Sequence, residues 1–228
     1  MELTFEKFSK DSGMTEEYIW RNYFRKNHFF FKEKDEDRAV NDLLSIFNAI
    51  LKLSNVMGFQ AMSLRDLSKE ANLSMKDLTN YVPSKDELLK IIYIHALNLI
   101  ADIMKSNIND EVSPKQRMAR AIKLHLYISE MMPQWFSFLY MEARNLKGED
   151  RRVAMETELF TEKLFAEILA DGIKAGVYAD RNFFMTASVI KAMLQDWYLK
   201  KWKYNKRKIS VDQYASFIIE FIESYLKI

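Results

Sequence analysis

Apolar residues recur along the chain at spacings of three and four, with polar residues between them. That period predicts helices almost throughout. Val40, Leu43, Leu44, Phe47, Ile50 and Leu51 make one apolar face, and Gly58 is placed to end that helix. Three capping boxes follow at short intervals: Ser63 with Asp66, Ser74 with Asp77, and Ser84 with Glu87. In each, a hydroxyl takes an orphan backbone N–H and the acid answers from the third helical position. Two short helices and the start of a longer one, reaching about Asn107, are the consequence. "NDEVS" breaks it, and Ser113, Pro114 and Gln116 open the next helix. Pro133 interrupts that one. A long helix is expected from about Asp150 to Ala175. Asp180 is expected to cap another that reaches about Tyr204, "NKRKIS" to form a basic loop, and Ser210 with Gln213 to cap the last helix.

The expected fold is therefore all-α. A front of short helices carries a helix-turn-helix, and a larger helical domain follows. The predicted divisions are 1–38, 39–92 and 93–228. Composition agrees: hydrophobic residues make up 49%, while 5 Gly and 3 Pro leave little material for strand-turn-strand patterns. There is no Cys, which excludes a disulfide framework, Cys-ligated zinc and a thiol nucleophile. This suits a reducing, cytoplasmic setting. The greasiest stretch, Ile91–Met104, is broken by His95, Asn98 and Asp102, so it reads as a buried helix and no membrane partner is expected. The three His lie far apart, and no nucleotide loop or nucleophile elbow is visible. No catalytic residue, metal site or cofactor is expected, and His125, on an apolar helix, reads as a core histidine.

The stretch "SLRDLSKEANLSMKDLTNYVPSK", Ser63 to Lys85, has helix-turn-helix spacing: a helix over about Leu64–Ala71, the turn "NLS", and a second helix over about Met75–Tyr81. In such a pair the second helix enters the major groove by its N-terminal residues. Here those include Met75, Lys76, Thr79 and Asn80. Lys reaches phosphate or guanine, Asn suits adenine, and Thr offers a hydroxyl and a methyl. Paired short helices also occur in plain bundles, so spacing alone leaves both readings open.

The residues from Ile50 to Leu89, "ILKLSNVMGFQAMSLRDLSKEANLSMKDLTNYVPSKDELL", resemble the DNA-binding segment of TetR/AcrR-type transcriptional regulators. Gly58-Phe59, Ser63, Arg65, Leu67, Ala71, Ser74, Leu78 and "PSKDELL" fall in that family's register. The resemblance implies that Ser63, Arg65 and Lys85 hold phosphates, while Ser74, Met75, Lys76, Thr79, Asn80 and Tyr81 face bases and backbone of double-stranded DNA. Four positions depart from the pattern: Asn72 and Lys76 where Gly is usual, Thr79 where an aromatic is usual, and Val82 where Phe is usual. Charges between Gln60 and Lys90 cancel, so nonspecific affinity for DNA is expected to be modest.

The resemblance also implies an apolar effector pocket and a homodimer. The helices after Tyr93 are rich in Met and aromatic residues, and Met118, Met132, Trp135, Phe138, Met141, Phe165, Met193 and Trp197 are the candidate lining. Such stripes are also what a packed core looks like. The C-terminal "MLQDWYLKKWKYNKRKISVDQYASFIIEFI" is similar to regulators of fatty-acid catabolism, some of which sense acyl-CoA thioesters. An apolar or acyl-CoA-like effector follows as the expectation. The last two helices carry Ile190, Leu194, Phe217, Ile218, Phe221, Ile222 and Tyr225, expected to form a two-fold interface. The function so implied is a ligand-responsive repressor on a palindromic operator. The competing reading is a ligand-binding protein of the same fold without sequence-specific DNA binding.

A faint copy of the helix-turn-helix pattern precedes it by 59 residues: "TFEKFSKDSGMTEEYIWRNYFRK", Thr4 to Lys26. It has Gly13 at the turn, and no helix is expected ahead of it to complete a three-helix core. It must borrow apolar surface, for which Phe29, Phe30 and Phe31 are candidates. Ser63–Lys85 is the copy expected to read DNA, and residues 1–38 are expected to be an accessory helix-turn-helix-like segment packed on it; a separate DNA reader and coincidence are the alternatives.

Overall fold

A computed structural model describes residues 3–29, 31–108 and 113–228. The described chain is helical: α1 (Phe5–Asp11), α2 (Glu16–Asn27), α3 (Glu36–Met57), α4 (Leu64–Glu70), α5 (Met75–Tyr81), α6 (Lys85–Asn107), α7 (Pro114–Met131), α8 (Pro133–Glu142), α9 (Gly148–Lys174), α10 (Phe183–Leu199), α11 (Lys201–Lys206) and α12 (Val211–Tyr225). A 3-10 turn, Ala143–Asn145, precedes α9. No described helix is long and apolar enough to cross a membrane.

The polar signals act where they were expected. Ser63 with Asp66, Ser113 with Gln116, and Ser210 with Gln213 form complete capping boxes. The Ser74 hydroxyl accepts the Asp77 N–H, and the Ser84 hydroxyl accepts that of Glu87. Gly58, at φ +80°, ends α3 with its N–H on the Ser54 carbonyl. Pro133 separates α7 from α8. The break expected at "NDEVS" falls largely outside the described residues. Two expectations need correction. Asn182, not Asp180, caps α10, through a 3.0 Å bond from the Met185 N–H. That helix also stops at Leu199 instead of running to Tyr204. Lys200 leaves helical geometry, and the short α11 follows.

The chain forms two compact units. One comprises Gly13–Leu99 with Met141–Arg151, and holds α2 to α5 and most of α6. The other gathers the chain up to Ser12, Ile100–Tyr140 and Arg152–Ile228. The Thr4–Lys26 stretch is thereby divided, α1 going with the second unit and α2 with the first.

In the first unit α2 lays an aromatic face over α3. Trp20 meets Phe47 at 5.1 Å and His95 at 5.8 Å between ring centroids. Phe24 stacks on Phe31 at 5.6 Å, and Phe31 meets Tyr81. Phe31 is thus the residue through which this segment borrows apolar surface; Phe29 is exposed and Phe30 lies outside the described residues. In the second unit α1 is held on α7 and α12. Phe5 and Phe8 pack against Tyr127, the Lys123 ammonium donates to the Leu3 carbonyl, and the Phe5 N–H donates to Asp212.

Candidate nucleic-acid interface and effector unit

The turn between α4 and α5 needs a left-handed residue, and Asn72 supplies it at φ +55°. Asn adopts that conformation more readily than most residues because its short polar side chain bonds locally. The Ser68 hydroxyl, buried under the turn, donates to the Leu73 carbonyl at 2.7 Å. Leu67 and Leu78, both fully buried, close the pair from inside. Charge-assisted caps fix its two N-termini. Hydrogen bonds from the Ser63 hydroxyl and N–H hold the Asp66 carboxyl below its usual range.

This frame sorts the expected DNA residues into two groups. Ser63, Arg65, Ser74, Met75, Lys76 and Thr79 are exposed, and Asn80 is half-buried. Met75, Lys76 and Thr79 share the outward side of α5. Two others are turned inward. Tyr81 is buried, and its hydroxyl donates to Asp42 of α3 at 2.9 Å. It lies three residues after Leu78, hence on the same buried face. It ties the second helix to α3. Lys85 donates to the Gln60 carbonyl at 2.6 Å and the Met62 carbonyl at 3.1 Å, and lies over the Phe59 ring. It pins the loop that enters α4.

The second unit disperses the candidate pocket residues. Met118, Phe165 and Trp197 are fully buried, Met132, Trp135 and Phe138 nearly so, and Met193 is half-buried. Met141 is exposed and belongs to the other unit. The Trp197 indole donates to Glu130 at 2.8 Å and stacks on Tyr214, so this residue joins α7, α10 and α12. An open cleft of about 730 Å³ lies elsewhere, between α7, the turn after α9 and α12. Lys115, Lys123, Tyr178 and Glu223 are among its walls, and none of the eight expected residues is. Sequence reasoning did not find it because it is built from the polar sides of those elements.

The expected dimer residues split by helix face. Ile190, Leu194, Ile218 and Ile222 are buried within this one chain, and cannot also cover a partner. Phe217, Phe221 and Tyr225 are 61%, 52% and 49% exposed. α12 is apolar on more than one side, and the sequence stripe merged a core face with an outward one.

Comparison with known proteins agrees with this architecture. The tetracyclin repressor-like C-terminal domain family model matches residues 111–222. The HTH-type transcriptional regulator HbdR of Aromatoleum sp. (strain CIB) is 18% identical over 181 residues, 79% of each chain. A tetR-family regulatory protein from Rhodococcus RHA1 superposes with a TM-score of 0.72 at 15% identity, covering 81% of this chain and 96% of its own. The transcriptional regulator FadR from Bacillus subtilis, solved in complex with stearoyl-CoA, gives 0.66 at 16% identity, covering 80% and 98%. The matched residues lie in the C-terminal part of the chain, and the capped helix pair lies before them: in C-terminal sequence and in fold the chain is similar to TetR/AcrR-type transcriptional regulators.

Proposed function

We propose that this regulator is a cytoplasmic homodimeric repressor that reads a palindromic operator and is released by an apolar or acyl-CoA-like effector. The observation that carries the DNA side is the outward row Met75, Lys76 and Thr79 on α5, with Arg65 exposed on α4. Phosphate contacts from Arg65 and Lys76 position the unit, and Thr79 with Asn80 reads base edges. Two-fold pairing through Phe217, Phe221 and Tyr225 brings two reading helices to successive half-sites. The acyl-CoA side is supported by the likeness to FadR and by the exposed Lys206, Arg207 and Lys208 as phosphate partners. The effector acts by binding two arrangements of the dimer unequally.

Selection from random double-stranded DNA with the full chain tests this reading. Enrichment of one palindrome, with retention falling steeply as salt rises, is the expected outcome. Failure to enrich any sequence at low salt refutes it in favour of a ligand binder that has lost its operator. A reporter fused to the enriched site then gives the sign of regulation.

A further inference from the structure

His125 on α7 is 2% exposed, and among the described residues neither of its ring nitrogens has a hydrogen-bond partner. Lys191 on α10, 6% exposed, lies near enough for its charge to act on the imidazole. Its nearest ion partner, Glu158 of α9, is 3.8 Å away, beyond hydrogen-bond length. Glu158 itself is engaged by Gln195, and Glu162, which also faces Lys191, takes a bond from Ser188. Around the imidazole the walls are aromatic: Phe136 stands edge-on at 5.9 Å, and Tyr198 packs on Phe136. Burial keeps His125 neutral, far below its usual range, and lowers Lys191 as well.

A buried imidazole with neither nitrogen bonded is costly, because it forfeits its hydration with nothing in return. Lys191 beside it has only the long ion pair to Glu158 in exchange for its burial. A well-packed core would place Leu or Met there instead. We infer that His125 and Lys191 form the polar anchor of the effector site, and that they take the acceptor oxygen of an acyl group whose hydrocarbon tail lies along the neighbouring aromatic walls. Both can present N–H donors, which suits a carboxylate or a thioester carbonyl and rejects an ammonium. His125 and Lys191 would hold the acyl oxygen alone, which a free fatty acid and an acyl-CoA both carry. The inference rests on the effector-responsive reading above and adds the residues that hold the acyl oxygen.

Calorimetric titration of the full chain with straight-chain fatty acids, the matching acyl-CoA thioesters and alkylamines of equal length tests it. An acyl series is expected to bind and the amines are not; which acyl series binds tells the free acid from the thioester. His125→Phe and Lys191→Met are each expected to lose at least about tenfold in affinity, the scale of one hydrogen bond involving a charged group. His125→Phe is also expected to melt higher than the wild type, because it removes an unsatisfied buried group. Should Phe prove too large to fold, His125→Leu serves in its place. Lower melting with unchanged binding makes the pair structural and overturns the inference, as does equal binding of the amines or no acyl binding at all. The melting arm needs no DNA, so its failure leaves the operator selection standing, and the converse holds.

Discussion

His95 gives the most direct test of how α2 is held. Its ring nitrogen Nε2 lies 2.9 Å from the Ile19 carbonyl, so it must donate, and the ring is buried between Trp20 and Tyr23. Burial pushes its pKa down to about 4, with a smaller push from Lys26 and an opposing pull from the Ile19 carbonyl. The folded state therefore resists a proton that the unfolded chain accepts at about 6.5. Stability is complete above that value, falls as the pH drops towards 4, and levels off below it. The ceiling of the loss is about 3.5 kcal/mol, from about 1.4 kcal/mol per pKa unit. His125 is displaced in the same direction in the other unit, so a global melting curve would mix the two. Hydrogen exchange at the Ile19–Phe24 amides, followed from pH 7 to about 4 after correction for intrinsic rates, isolates the first unit. His95→Gln keeps a donor for the Ile19 carbonyl and does not titrate. Protection in the wild type is expected to fall across this window, and in the variant to stay nearly flat. Parallel curves for the two proteins would refute the reasoning.

Three further outcomes follow from particular contacts. Asn72→Gly is expected to raise the denaturation midpoint of the first unit and Asn72→Val to lower it by about 1 kcal/mol or more, since φ +55° suits Gly and strains a branched side chain. Gly172→Ala places a methyl 2.1 Å from the Tyr178 ring, and is expected to cost about 1–3 kcal/mol in thermal melting. Lys76→Ala is expected to weaken DNA retention across all sequences and to flatten its logarithmic salt dependence by about one, as the loss of one phosphate contact does.

Helix ends were the most legible part of the sequence. A hydroxyl followed three residues later by an acid or amide states its own purpose, because both partners lie within one turn. Asn72 is left-handed at the position where the resemblance has Gly. Where a face points was less legible. Tyr81 and Lys85 lie in register with a DNA-binding pattern, yet what they touch, Asp42 and the Gln60 and Met62 carbonyls, is set by residues up to 39 positions away. Ile218 and Phe217 are neighbours in one apolar stripe, and only packing against other helices decides which is core. His125 read as a core histidine, and it is buried. That its nitrogens lack partners is a fact of three dimensions, invisible to any spacing.

The Thr4–Lys26 stretch carries this distinction furthest. Its local signals are those of a helix-turn-helix. Thr4 and Thr15 cap two helices, and Gly13 turns left-handed between them at φ +58°. What decides the fate of such a pair is where each helix finds apolar surface, and here the two find it in different units. Phe5 and Phe8 of α1 meet Tyr127, whose hydroxyl bonds the Leu3 carbonyl and Asp212. Ile19, Trp20, Tyr23 and Phe24 of α2 are buried in the other unit, with Arg21 tied to Glu17, Glu36 and Asp37 at its edge. Glu16 and Glu17, which would face phosphates unfavourably, are therefore no obstacle to this placement: α2 contributes its aromatic face to a core and leaves its acidic first turn to solvent. A pattern that repeats in sequence can thus specify the same two elements and still not the same motif, because capping chemistry is local and burial is not.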